Sequence, residues 1–127
     1  MKLLLDTNFI IGLLRTDENY ISKFEEIKSN DLYISPLTVT EIYAGCRANE
    51  IGETENLLQK IFTIPLSKLV SREAGLMIYH YSKRGKKIYI ADAIIGATAK
   101  IHHLTLITQN IKDFPMLYPS QIERFPK

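Results

Sequence analysis

Asp6, Glu41 and Asp92 are carboxylates set among residues that should be buried, in "KLLLDTNFI", "ISPLTVTEIYAG" and "IYIADAIIGATA". Acids held against an apolar interior repel one another and resist ionisation unless a cation compensates them. Hard cations such as Mg²⁺ or Mn²⁺ prefer oxygen ligands and keep several waters, so a few carboxylates around one cleft suit them. A metal so held can lower the pKa of a water, orient a phosphodiester and neutralise charge on the attacking and leaving oxygens. Hydrolysis of a nucleic-acid backbone is the natural use of that chemistry, and it requires no histidine or cysteine.

Taken singly, each acid has a plainer reading. Asp6 and Asp92 can cap the helices that follow them or complement their positive ends. Glu41 can sit in a salt bridge or on a solvated face. The acids carry a functional claim only if the fold brings them together.

The elements that must do so are legible in the apolar pattern. Leu3 to Leu5 is a short continuous apolar run followed by helix-opening residues, which reads as a buried strand with Asp6 at its carboxyl end. "NFIIGLLR" reads as a short helix. A second runs from about Glu18 to Lys28, with Tyr20, Ile21, Phe24 and Ile27 on one face. "DLYIS" is the next strand, and Ser35-Pro36 supplies an N-cap and a first helical residue. The helix opened there carries Val39, Ile42, Tyr43 and Cys46, with Glu41 about a turn and a half from its start.

"IGETENLLQKIF" continues as a helix, and "FTIPL" is a third strand that Pro65 ends. Ser67 can cap the long helix whose apolar stripe is Leu69, Val70, Ala74, Met77, Ile78 and Tyr81. "IYIADAIIGATAKIHH" is a final helix, "LTLIT" a fourth strand and "NIKDFPMLY" a short helical turn before a Pro-rich end. Strands alternating with helices predict an α/β fold with a mostly parallel sheet covered on both faces. Ligands gather outside the carboxyl ends of such strands. Asp6, the segment from Thr108 to Asp113, and the helix starts bearing Glu41 and Asp92 are therefore expected around one pocket.

Composition sets the outer bounds. A chain of 127 residues, 46% apolar and 24% charged, reads as a single domain over residues 1–127 with a sizeable core. The formal charge of +2 favours phosphates but falls short of a basic tail. Lys83, Arg84, Lys86 and Lys87 are the densest positive cluster and lie just before the Asp92 helix. They read either as a solvated loop or as phosphate contacts. Cys46 is the only cysteine, so no disulfide forms within the chain and a cytoplasmic setting is the default. "MKLLLDTNFIIGLLR" imitates a secretory signal, but Asp6 and Asn8 interrupt it and no small-residue cleavage pattern follows. No run approaches the roughly 18 to 20 apolar residues of a membrane span. His80, His102 and His103 lack the spacing of a zinc site, and most of the tyrosines read as core rather than as base-stacking rings.

"LLLDTNFII", "SPLTVTEIYAG", "IADAIIGATA" and "LTLITQNIKDF", in this order over nearly the whole chain, resemble the PIN-domain family, in particular the VapC-type toxins of prokaryotic toxin–antitoxin pairs. The resemblance implies a PIN-like three-layer α/β/α sandwich and Mg²⁺- or Mn²⁺-dependent cleavage of RNA. It matches Asp6, Glu41 and Asp92 to the family's main acidic positions, Asn8 to its Asp-Thr-Asn opening, where it would brace the first loop, and Thr108 to a polar position beside the metal. At the fourth acidic position this chain has Asn110, with Asp113 the only carboxylate nearby. That departure implies one firmly bound metal, and a second only when phosphate adds oxygens. Arg84, Lys86 and Lys87 become candidate RNA contacts. A homodimer and a cognate antitoxin with a partly disordered tail are further implications. Two other classes stand beside this one: a PIN-like module that binds RNA or protein without cutting, and a receiver-like signalling domain, which lacks its expected adjacent acids after the first strand.

Overall fold

The computed structural model describes residues 1–127. Five strands form one sheet in the order β3-β2-β1-β4-β5, with every pair parallel: β1 (Lys2–Leu5), β2 (Asp31–Ile34), β3 (Phe62–Thr63), β4 (Thr105–Thr108) and β5 (Ile122–Arg124). Six α-helices connect and cover them: α1 (Thr7–Leu14), α2 (Glu18–Ile27), α3 (Pro36–Gly45), α4 (Ile51–Leu58), α5 (Lys68–Lys83) and α6 (Ile90–His102). This is the expected three-layer α/β/α arrangement.

Side chains alternate across a strand, so β1 feeds both faces of the sheet. Leu3 and Leu5 join the core that α1 and α3 supply through Phe9, Ile10 and Ile42. Leu4 points to the opposite core, built with Val70 and Ala74 of α5 and Ala93 and Ala97 of α6. All three leucines are essentially inaccessible, which is why β1 reads as an unbroken apolar run.

The chain moves outward from β1 to β2 and β3, then returns to place β4 on the other side of β1. The reversal of direction between β1 and β4 opens a crevice at their carboxyl ends, the usual ligand position in such sheets. Register pairs Leu5 with Ile107, so Asp6 and Thr108 leave the sheet side by side.

Several expectations change in detail. The Pro-rich end forms a fifth strand, β5, beside β4, and Phe125 packs between the rings of Phe9 and Tyr20, with centroids 5.8 and 5.2 Å away. Three residues of mixed character carry no period-2 signal, and an edge position demands little burial. "IGETENLLQKIF" stops being helical at Leu58, and β3 has only two residues. Ile21, Tyr43 and Leu69, expected on apolar stripes, are exposed, because the covering helices meet the sheet along a narrower seam than their sequences suggest. Gly12 sits where a methyl would lie 2.3 Å from a Tyr20 ring carbon, so that close approach requires glycine.

Candidate active site

The N-terminus of α1 holds Asp6 as its N-cap, where Asp6 Oδ1 accepts from the Asn8 backbone N–H at 2.8 Å. The other oxygen, Oδ2, accepts a hydrogen bond from the Thr108 hydroxyl. Thr108 Oγ1 accepts in turn from the Asn110 backbone N–H at 3.1 Å, tying the loop after β4 to the first acid. The capping and functional readings of Asp6 are thus compatible: each carboxylate oxygen spends one lone pair on the protein and keeps another. The loop is braced by the Asn8 backbone rather than by its side chain, which is exposed.

Glu41 comes from the second turn of α3, a helix started by Ser35, whose hydroxyl accepts from the Leu37 N–H at 3.1 Å, with Pro36 next. It lies on the exposed side of that helix, although its neighbour Ile42 is buried. Thr7 Oγ1 is 2.7 Å from Glu41 Oε1 and 3.1 Å from Thr38 Oγ1. A carboxylate only accepts, so the single Thr7 proton goes to Glu41 and fixes its direction. Thr7, between Asp6 and Asn8, carried no sequence signal of this role.

Asp92 occupies the third position of α6 and makes no capping hydrogen bond, which removes the capping explanation for it. The positive end of α6 remains a favourable environment. After β4, Asn110 begins a short 3₁₀ turn over Ile111–Asp113 that carries Asp113 inward.

These residues meet in one cavity of about 320 Å³, lined by Asp6, Glu41, Asp92, Asp113, Asn8 and Asn110 together with apolar neighbours such as Ile95 and Phe114. Burial, followed by the charges of Asp113, Asp6 and Glu41, pushes the Asp92 carboxyl from 3.8 up to about 6. Burial likewise raises the Asp6 carboxyl, against the lowering effect of its hydrogen bonds from Thr108 and Asn8. No lysine or arginine lines the cavity to relieve this repulsion. The acids surround the space without meeting at a point, and no three of them form a complete ligand cage. An oxygen-only donor set that leaves room for water fits Mg²⁺ or Mn²⁺, which bind through one or two carboxylates and keep part of their hydration. It does not fit a zinc site. Asn110 and Asp113 both line the cavity, and of the two only Asp113 adds charge.

The basic loop divides. Lys86 and Lys87 flank a hollow at the end of α5 with Ser82 and Ile88, whereas Arg84 stacks on Tyr81, 4.6 Å from its centroid, and lines a different hollow with Lys100 and Met116. None of Arg84, Lys86 and Lys87 reaches the acidic cavity.

The family model for the PIN domain matches residues 3–115, spanning every residue of this cavity. The chain belongs to the PIN domain family. Among relatives of this PIN domain, Ribonuclease VapC10 of Mycobacterium tuberculosis is 34% identical over 89 residues, covering 70% of this chain and 67% of the relative. Toxin FitB of Neisseria gonorrhoeae is 31% identical over 125 residues, covering 88% and 90% respectively. Among solved structures, a toxin–antitoxin complex from Klebsiella pneumoniae contains a chain with a TM-score of 0.80 and 27% identity, covering 95% of each chain. The receiver-like alternative falls with the family assignment. No helix of this PIN domain is long and apolar enough to cross a membrane.

Proposed function

We propose that this PIN domain is a metal-dependent endoribonuclease, the toxin of a toxin–antitoxin pair, acting in the cytoplasm as a homodimer and neutralised by a cognate antitoxin. The carrying observation is the single cavity in which Asp6, Glu41, Asp92 and Asp113 face one another at the carboxyl edge of the sheet, with Asp92 raised to about 6. Relatives named as ribonucleases and as a toxin, and the likeness to a toxin–antitoxin complex, support the same reading. They favour it over a silent binding module, for which intact acids would have no use.

Asp6 and Asp92 are the principal metal ligands in this reading, with Glu41 and Asp113 acting directly or through water and Asn110 as a neutral oxygen donor. When bound, Mg²⁺ or Mn²⁺ supplies the charge that lets these acids ionise together, lowers the pKa of a water and balances charge on the phosphodiester oxygens. Thr108 and Asn8 keep the Asp6 carboxylate from rotating, which preserves its alignment. Glu41, accessible and aimed by Thr7, takes the proton from the attacking water. Proton removal and in-line attack then break the bond to the leaving oxygen. The antitoxin would silence the site by presenting a basic side chain to the acids, the complement of a cavity without cations of its own.

The test is cleavage of single-stranded RNA by purified protein with Mg²⁺. Wild-type protein is expected to cut, EDTA to stop it, and Asp6→Asn to reduce cleavage at least about a hundredfold and abolish growth arrest while the circular dichroism spectrum is unchanged. Full activity of that variant, or cleavage that persists in EDTA, would sink the assignment. Co-purification with the product of a neighbouring reading frame, and light scattering, check the partner and the dimer.

A further inference from the structure

The stretch from Gly75 to Ala91 contains Lys83, Arg84, Lys86 and Lys87 and not one acid, then runs directly into Asp92. Exposed rings stand beside these cations. Tyr89 is 63% exposed, with the Lys87 ammonium 4.8 Å from its ring centroid, and Tyr79 is 54% exposed, with Lys83 Nζ at 5.0 Å. Ile90, the next residue, is 68% exposed. The next residue, Ala91, already lines the acidic cavity. Tyr89 is the N-cap of α6 and makes no side-chain capping bond, so nothing local explains an aromatic ring there.

Alternating cations and exposed rings are the arrangement by which proteins hold single strands: cations follow the phosphates and rings stack on unpaired bases. A base inside a duplex cannot offer its face, so such a surface discriminates against paired RNA. The acidic cavity repels phosphates, and a strand entering it needs cations close by; Lys86 and Lys87 are the cations that immediately precede α6 in the chain. We propose that Tyr89, supported by Lys86 and Lys87, is a base-stacking position that feeds an unpaired RNA segment into the acidic cavity. This rests on the ribonuclease reading for its biological sense, but binding tests it separately.

The experiment uses the full chain carrying Asp6→Asn, and fluorescence anisotropy with a labelled single-stranded RNA dodecamer and the same RNA annealed to its complement. The intact label is checked by gel. Tyr89→Ala is expected to weaken single-strand binding roughly five- to hundredfold, the range a stacked base supplies, while Tyr89→Phe retains it and duplex binding stays unchanged. Lys87→Ala is expected to weaken binding and reduce the salt slope by about one. Tyr89→Ala binding the single strand as tightly as the parent would overturn the proposal. So would Tyr89→Ala converting a dimer to monomers with an affinity loss that vanishes once monomers are compared, which would make Tyr89 a contact for a second protein chain. Tyr89-dependent single-strand binding by a protein that never cleaves RNA would uphold this surface and refute the nuclease.

Discussion

Asp92→Asn should make the metal-free protein more stable at neutral pH, although it removes a residue central to the site. The folded chain holds the Asp92 proton up to about pH 6, against 3.8 for the free group, because burial and the charges of Asp113, Asp6 and Glu41 disfavour its carboxylate. Ionising Asp92 therefore opposes folding. The penalty is absent below pH 3.8, grows as pH rises and is complete above about 6. A rise from 3.8 to about 6 corresponds to about 3 kcal/mol at 1.36 kcal/mol per pH unit, and the half-exposed position of Asp92 screens this to about 1–1.5 kcal/mol. The asparagine variant stays neutral throughout and escapes it. Urea unfolding in EDTA should show the variant ahead by that amount at pH 8, about 3–6 °C in Tm, and level with wild type near pH 4. Mg²⁺ at about ten times its Kd should stabilise wild type by about 1.4 kcal/mol and the variant by much less. A variant less stable than wild type at pH 8, or an advantage that does not change with pH, would refute the electrostatic reasoning.

Asp113→Asn should bring the Asp92 carboxyl back towards its ordinary value, since Asp113 is the largest charged contributor; carboxyl NMR titration of metal-free protein reads the shift, and Asn110→Ser should leave it unmoved. Thr7→Val should release Glu41 and lower RNA cleavage about tenfold, with a change of about 1 kcal/mol in urea unfolding. Gly12→Ala should destabilise the fold by about 1–3 kcal/mol, read as a lower urea midpoint, because the new methyl would meet a Tyr20 ring held by Phe9 and Phe125.

The sequence by itself determined the fold class and which residues gather in most of the candidate site. Leu3 to Leu5, buried on both faces, had to read as an unbroken apolar run, and Ser35-Pro36 and Ser67 marked helix starts because capping is a local interaction. Chain order then sent Asp6, Glu41 and Asp92 to one edge, since parallel strands share a direction. Tertiary structure decided what local pattern could not carry. The partner of Glu41 is Thr7, 34 residues away, and the partner of Asp6 is Thr108, 102 residues away; both contacts exist only once α1, α3 and β4 pack. Packing also left Glu41 exposed while burying Asp6, and it built β5 from a segment with no strand period. Finally, the 3₁₀ turn after β4 brought Asp113 to the cavity beside Asn110, an outcome that rests on where a loop points rather than on which residues it contains.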